Sequence, residues 1–394
     1  MKTNTTQKNI PKGWQRVKLG EILDSDKGRL PKNLTDTKLS DDYLPYLSIK
    51  TISGEASQYA DPKTGVVAKN DDLLVIADGS RSGFLFTGHE GLVSSTFLRI
   101  RAQDRAVTNP YLYYLFYHLD FTDGKFRKGG AIPHFDYKQL NSLTVSLPSL
   151  PEQKKIAEIL GTVDKEIQKT DKIIAATEKL KRGLTQQLFS RGIGHTKFKK
   201  TKVGDIPKEW SLLKLKDVAK FTNGKAHEKD ISENGKYIVI NSKFISTNGQ
   251  VIKRSDKNLS PLLVGDIAMV MSDIPKGKAF AKCFLVEENG KYTLNQRICS
   301  IKATKINNKF LYYILNRNEY FLGFDNGVGQ TNLRKDEVLD CPVQLPSSRE
   351  QNEIVEMLSA VDKKISVNKK MKEKLTLLKK GLMQDLLSGK KRTI

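Results

Sequence analysis

The chain repeats itself, and no other feature restricts its fold as much. Residues 10–22 read IPKGWQRVKLGEI and residues 206–218 read IPKEWSLLKLKDV. Ile10, Pro11, Lys12, Trp14, Lys18 and Leu19 return as Ile206, Pro207, Lys208, Trp210, Lys214 and Leu215, and both tryptophans lie in these segments. A second pair follows, LPSLPEQ at 147–153 and LPSSREQ at 345–351. It runs on through Ile156 and Ile354, Leu160 and Leu358, Val163 to Lys165 and Val361 to Lys363, and Ile167 and Ile365. It closes with Gly183, Leu184, Gln186, Leu188 and Ser190 against Gly381, Leu382, Gln384, Leu386 and Ser388. Between these ends only weaker echoes survive, such as Tyr111 to Tyr114 against Phe310 to Tyr313. A chain with this internal period builds one structural unit twice. Matched ends and divergent middles predict a shared scaffold whose variable parts face different targets.

Each half divides again. Roughly 10–148 and 206–346 are mixed domains, in which β-branched and aromatic runs such as Asp72–Ile76 and Gly265–Val270 alternate with Gly, Asn and Pro turns. One helix is signalled inside the first of them, with Asn109 as cap, Pro110 at its first position and Tyr111 to Leu119 following. A long helix then covers about Glu152 to Ser190, and its counterpart about Arg349 to Ser388. Apolar residues at Ile156, Leu160, Val163 and Ile167, and at Ile354, Leu358, Val361 and Ile365, follow alternating steps of four and three. That is a coiled-coil seam rather than a broad core face. Leu180, Leu184 and Leu188, with Leu378 and Leu382 in the second copy, read as its continuation after a phase shift. At 1.5 Å per residue each helix is roughly 55–60 Å long, and the two are expected to pair antiparallel through these side chains. The expected fold class is α+β. Two similar mixed α/β domains, 1–150 and 193–346, are separated by two long antiparallel helices, 151–192 and 347–394 with its basic tail, in an internal pseudo-twofold repeat.

Composition narrows the function. The 394 residues carry a formal net charge of +23 with 38% hydrophobic content, so a polyanion partner fits and general disorder does not. No apolar run approaches the roughly 20 residues that cross a bilayer, and the polar, basic start resembles no signal peptide. Cys283, Cys299 and Cys341 form no CxxC pair, and the five histidines show no metal-ligand spacing. The chain reads as cytoplasmic, with no membrane partner and no metal. Two related domains held at a set distance suit a double-stranded DNA target with two separated sites, and unlike domains need not read a palindrome.

The order of domain, LPSLPEQ entry, long helix ending GLTQQLFS, then a second domain, LPSSREQ and GLMQDLLS, resembles the specificity subunit of type I restriction–modification enzymes over essentially the whole chain. The resemblance implies that each variable domain is a target-recognition domain and that the helices set the spacing. It also implies two methyltransferase subunits that carry S-adenosylmethionine and recruit nuclease-translocase (restriction) subunits, with no cofactor in this chain. Arg349 departs from the family, standing where a proline like Pro151 is usual.

DNA reading needs donors and acceptors on loops that enter a groove, and Lys or Arg for phosphates. Candidate loops come in pairs: Lys27-Gly28-Arg29 with Asn223-Gly224-Lys225, and Ser48 to Thr51 (with Lys50) with Asn241 to Phe244 (with Lys243). Gly79 to Gly83, with Arg81 and Ser82, pairs with Ser272 to Lys278, with Lys276 and Lys278. Gly129 to His134 pairs with Gly327 to Asn332, which carries Gln330 and Asn332, and Arg334 follows. The resemblance puts the last two classes near DNA. The tyrosine stripe Tyr111, Tyr114, Leu115, Leu119 has helical spacing and reads as core rather than as a stacking platform. No catalytic residues are assigned, because Asn109-Pro110-Tyr111 lacks the second proline of a methyltransferase motif and no phosphate-binding loop is present. Two other readings stand beside this one: a DNA-modifying enzyme with an unrecognised site, and an architectural clamp that holds DNA without reading it.

Overall fold

The computed structural model describes residues 10–55, 57–103, 106–119, 121, 125–130, 132–274, 277–325 and 327–393. The chain forms two compact units. One comprises 1–172 with 369–394, the other 173–368. Each long helix is continuous, Leu150–Arg191 and Ser348–Leu387, and each contributes one half to each unit.

In the first unit a four-stranded antiparallel sheet runs in the order Leu23–Lys27, Phe97–Ala102, Leu73–Ile76, Leu85–Phe86. A second sheet has the order Tyr59–Ala60, Leu44–Leu47, Gly91–Val93, Val67–Ala68, and within it Leu44–Leu47 and Gly91–Val93 are parallel, pairing Tyr46 with Leu92 and Leu47 with Val93. The run Leu73–Ile76 is apolar throughout because both of its faces are covered. Leu73 and Val75 face the core beneath the helices, while Leu74 and Ile76 face the second sheet.

The second unit repeats this plan. Its antiparallel sheet has the order Ala219–Asn223, Ile298–Ala303, Ile267–Val270, Cys283–Leu285, and Tyr237–Ile240 lies parallel to Tyr292–Leu294 in the other sheet. Ile267 and Met269 join the helix-side core, Ala268 and Val270 the other. The poorly matched middles of the sequence therefore share one topology. A period-two strand demands only that apolar residues stand at each inward position, not which ones.

Within each unit the long-helix halves run antiparallel. In the first, Lys379 Nζ lies 2.6 Å from Asp164 and Lys372 Nζ 2.7 Å from Asp171, so seven residues forward on one helix is seven back on the other. Ile156 and Leu160 share a core with Met383, Leu386 and Leu387. In the second, Lys181 Nζ lies 2.6 Å from Asp362, and Leu188 packs with Ile354 and Leu358. Val163, Ile167, Val361, Leu184 and Leu382 are half-buried along the same seam, and Ile365 is buried.

Two expected pairing residues fall outside it. Leu180 is 60% exposed and Leu378 51%. No phase shift occurs: after Ile167 the seam continues in the same steps through Thr170, Ile174, Thr177, Lys181, Leu184 and Leu188, and after Ile365 through Asn368, Lys372, Leu375, Lys379, Leu382 and Leu386. Polar residues at several of these places hide the periodicity. Thr170 and Thr177 are buried, with their hydroxyls donating to the carbonyls of Glu166 and Ile173, each at 2.7 Å.

The second helix starts without the usual proline. Ser347 accepts from Glu350 N at 3.3 Å, and Arg349 pairs with Glu353 one turn on at 2.9 Å. The tyrosine stripe is core, with Tyr111, Tyr114 and Leu115 buried and Leu119 packed against them. Asn109 is not the cap of its helix. Thr108 holds that position, and the Asn109 side chain accepts from Ala102 N at 2.7 Å. No helix among the described residues is long and apolar enough to cross a membrane.

Candidate nucleic-acid interface

In each unit the expected loops meet at one end of the two sheets, around a turn that follows the parallel strand. In the first unit that turn is Ser94–Thr96. Ser94 N donates to Leu47 O and Ala77 N to Thr96 O, which ties the turn to the loops after Leu47 and after Ile76. Gly28 N donates to Phe97 O and Arg29 N to Val93 O. Gly28 must be glycine, because a Cβ would stand 2.2 Å from Ser94 O. The last loop closes the cluster through Phe135 N to Ala77 O and Gly79 N to Pro133 O.

The second unit is built alike around Asn295–Arg297. Asn295 N donates to Ile240 O, Met271 N to Arg297 O, Lys225 N to Leu294 O and Leu333 N to Met271 O. A Cβ on Gly224 would stand 2.0 Å from Asn295 O. His227, fully buried, braces the Lys225 turn, its ring nitrogens 2.7 Å from Lys225 O and 2.8 Å from Thr293 Oγ1.

The side chains presented there are polar and charged. Lys27 Nζ and His134 Nδ1 flank Asp78, at 2.8 and 2.7 Å from its two oxygens. Burial pushes the Asp78 carboxyl up, but its bonds to Lys27 and His134 outweigh that and hold it below the ordinary aspartate value. Asp78 therefore stays ionised, and it holds both side chains in place. The corresponding pairing in the second unit sets Ser272 opposite Asn332, and Gln330 Nε2 donates to Ser272 Oγ at 2.5 Å. One head thus presents an ionic cluster and the other a neutral amide cluster on the same backbone. Donor forks and carboxylates of this kind match base edges, and the flanking cations match phosphates.

Comparison with known proteins decides what this arrangement belongs to. The family model described as "Type I restriction modification DNA specificity domain" matches twice, over residues 11–179 and 207–377. The chain belongs to the specificity subunits of type I restriction–modification enzymes. It is 31% identical over 402 residues to the "Type I restriction enzyme MjaVIII specificity subunit" of Methanocaldococcus jannaschii, covering 97% of this chain and 93% of that one. It is 27% identical to the "Putative type I restriction enzyme MjaX specificity subunit" of the same organism, covering 97% and 94%. A crystal structure of the type I restriction–modification S subunit from M. genitalium shares the fold, with TM-score 0.65, 16% identity and 98% of each chain covered. As a specificity subunit the chain recognises DNA within a larger complex and is not the catalytic component.

The expected DNA-contacting residues of this specificity subunit are disposed unequally. Lys27, Arg29, Lys50, Arg81 and His134 are exposed in the first unit, as are Lys225, Lys243, Lys278, Gln330, Asn332 and Arg334 in the second. Lys276 lies outside the described residues. Ser82 is fully buried beneath the exposed Arg81, which removes it from any direct contact. Arg29 donates to Thr64 O at 3.2 Å. Arg334 spends its fork on Glu337, at 2.7 and 2.9 Å. Lys50 and Lys243 sit on short helices capped by Ser48 and Asn241. Sequence reasoning missed Asp78 and the two central turns. Their signal is three polar residues between a short apolar strand and a six-residue one, after Val93 and after Leu294, too slight to stand out where the copies diverge.

The three cysteines are buried, and burial pushes the Cys299 and Cys341 thiols up to about 12. They stay protonated and pack as small apolar groups.

Proposed function

We propose that each unit of this specificity subunit reads one half of a bipartite, asymmetric DNA site. The long helices set the unread spacer and dock two methyltransferase subunits. On this reading 1–150 and 193–346 are the target-recognition domains, and 151–192 and 347–394 the spacing helices. S-adenosylmethionine is carried by the methyltransferase partners, restriction subunits join through them, and the whole acts in the cytoplasm on double-stranded DNA. The observation that carries the reading is the gathering of four separate polar loops at one sheet end in both units, each around a turn after a parallel strand, with different side chains in the two. A shared frame with unlike readers is what an asymmetric site requires. The chain co-purified with its methyltransferase partner should select from a random duplex pool a site with two defined halves and a fixed undefined gap. Salt-sensitive binding with no recovered site would mean a clamp. Methyl transfer by the isolated chain would mean an enzyme.

A further inference from the structure

We infer that the turn Asn295–Arg297 is a base-reading element of the second unit, and that its counterpart Ser94–Thr96 in the first unit is not. This rests on the DNA-reading function proposed above, and it names residues that none of the expected loops contains. Three of the other four loops bond to the turn or to the residues flanking it, and the fourth joins them through Met271, so whatever approaches those loops meets the turn. Its own fold pushes two side chains outward. Ile298 N donates to Asn295 O, and Gln296 N donates to the Asn295 side-chain oxygen at 2.6 Å, closing a tight bend. Gln296 and Arg297 at the bend are exposed.

Beside them is an open cleft lined by Glu228, Asn241, Ser242, Asn295, Gln296 and Arg297, with Ile298 as its apolar wall, so that amides, a guanidinium and a carboxylate dominate it. Gln296 Nε2 donates to Glu228 Oε1 at 3.3 Å, which fixes the way the amide faces while its oxygen and second hydrogen remain available. Asn241 is likewise fixed, its oxygen accepting from Phe244 N at 2.8 Å. Pre-oriented amides pair bidentately with adenine, and an arginine fork with guanine. A cleft this polar and open suits base edges better than a small apolar ligand. The first unit places Ser94, Ser95 and Thr96 on the same backbone, with Ser94 buried. Hydroxyls one carbon from the chain lack the reach and the fork. The two heads therefore differ in how many loops read.

The test uses the full chain with its methyltransferase partner, a random-sequence duplex pool at fixed salt, and sequencing of the recovered sites. Arg297→Ala should relax one base position in a single half of the site by roughly 5- to 150-fold and leave the other half intact. Gln296→Ala should relax a neighbouring position. Arg297→Lys keeps the charge and loses the fork, so it should relax the same position as the alanine variant even if that variant folds poorly. Ser95→Ala should change neither half. The inference is overturned if both Arg297 variants recover the wild-type site. It is overturned equally if Arg297→Ala weakens all sequences alike and lowers the salt slope, the mark of a phosphate contact. A wild-type chain that recovers no two-part site overturns the underlying function instead, which separates the two failures.

Discussion

The EQ dipeptide at the head of each long helix shows what single residues do here. Glu152 is fully buried and accepts from Trp14 Nε1 at 3.2 Å and from the Arg392 fork at 2.6 and 2.8 Å. Glu350 accepts from Trp210 Nε1 at 2.9 Å and from Ile193 N at 2.9 Å, with His195 Nε2 3.0 Å away. The adjacent glutamines satisfy backbone at the next helix start, Gln153 accepting from Thr108 N and Gln351 from Asn307 N. The matched Trp and Glu-Gln of the two copies are thus one clamp between head and helix. Burial pushes the Glu152 carboxyl up, but Arg392, with smaller help from Thr393 and Trp14, holds it below the ordinary glutamate value. A depressed carboxyl contributes stability that is present above the unfolded value, about 4.3, and is lost as pH falls through the folded one. Thermal melts across that range should therefore show a loss on the acid side, and Arg392→Ala, which leaves burial to raise the Glu152 carboxyl, should shrink or abolish that loss. A profile unchanged by that substitution would mean Arg392 contributes nothing to the clamp. A second duplicated group lies further along each long helix. Tyr114 donates to Asp164 and Tyr313 to Asp362, each at 2.8 Å, beside Lys379 and Lys181. Hydrogen bonds to a charged group are worth about 1.5–3 kcal/mol, so Tyr114→Phe and Tyr313→Phe should each lose about that much in denaturant melts.

At the scale of elements, the long helices separate residues that look alike in sequence. Leu188 is buried in the seam, and Leu180, eight residues earlier and so off the heptad step, is in solvent. Leu188→Ala should cost about 2–5 kcal/mol, and Leu180→Ala no more than about 0.5 kcal/mol. Equal losses in chemical denaturation would contradict the seam. The error in reading Leu180 and Leu378 has a physical cause. Apolar periodicity finds a seam only while the seam is apolar, and Thr170, Thr177, Lys181, Asn368, Lys372 and Lys379 interrupt it. Elements with one strict requirement were legible, namely the helix bounds, the Trp and Glu-Gln anchors and the doubly covered strand at Leu73–Ile76. The site was legible only where cations and glycines mark loops, as at Lys27-Gly28-Arg29. Asp78 and the Asn295–Arg297 turn gain their meaning from neighbours distant in sequence, which no local pattern records.

At the scale of the whole molecule, two continuous helices that each enter both units make length a variable distinct from recognition. Seven residues inserted at matched places in both helices keep the heptad phase and add about 10 Å of helix. The unread gap should then lengthen by at most about three base-pair steps, with both half-sites kept. An unchanged gap in sequenced sites would refute a spacing role. Exchanging 193–346 for the same segment of a relative should alter one half-site alone, and alteration of both would sink independent reading. One detail of the frame bears on how such subunits acquire new targets. Gly28 and Gly224 cross so near the backbone of the central turn that no other residue fits without moving that turn. A randomised library built to retarget this protein should leave those two codons untouched and spend its diversity on the exposed tips around them, where every member inherits the same chassis.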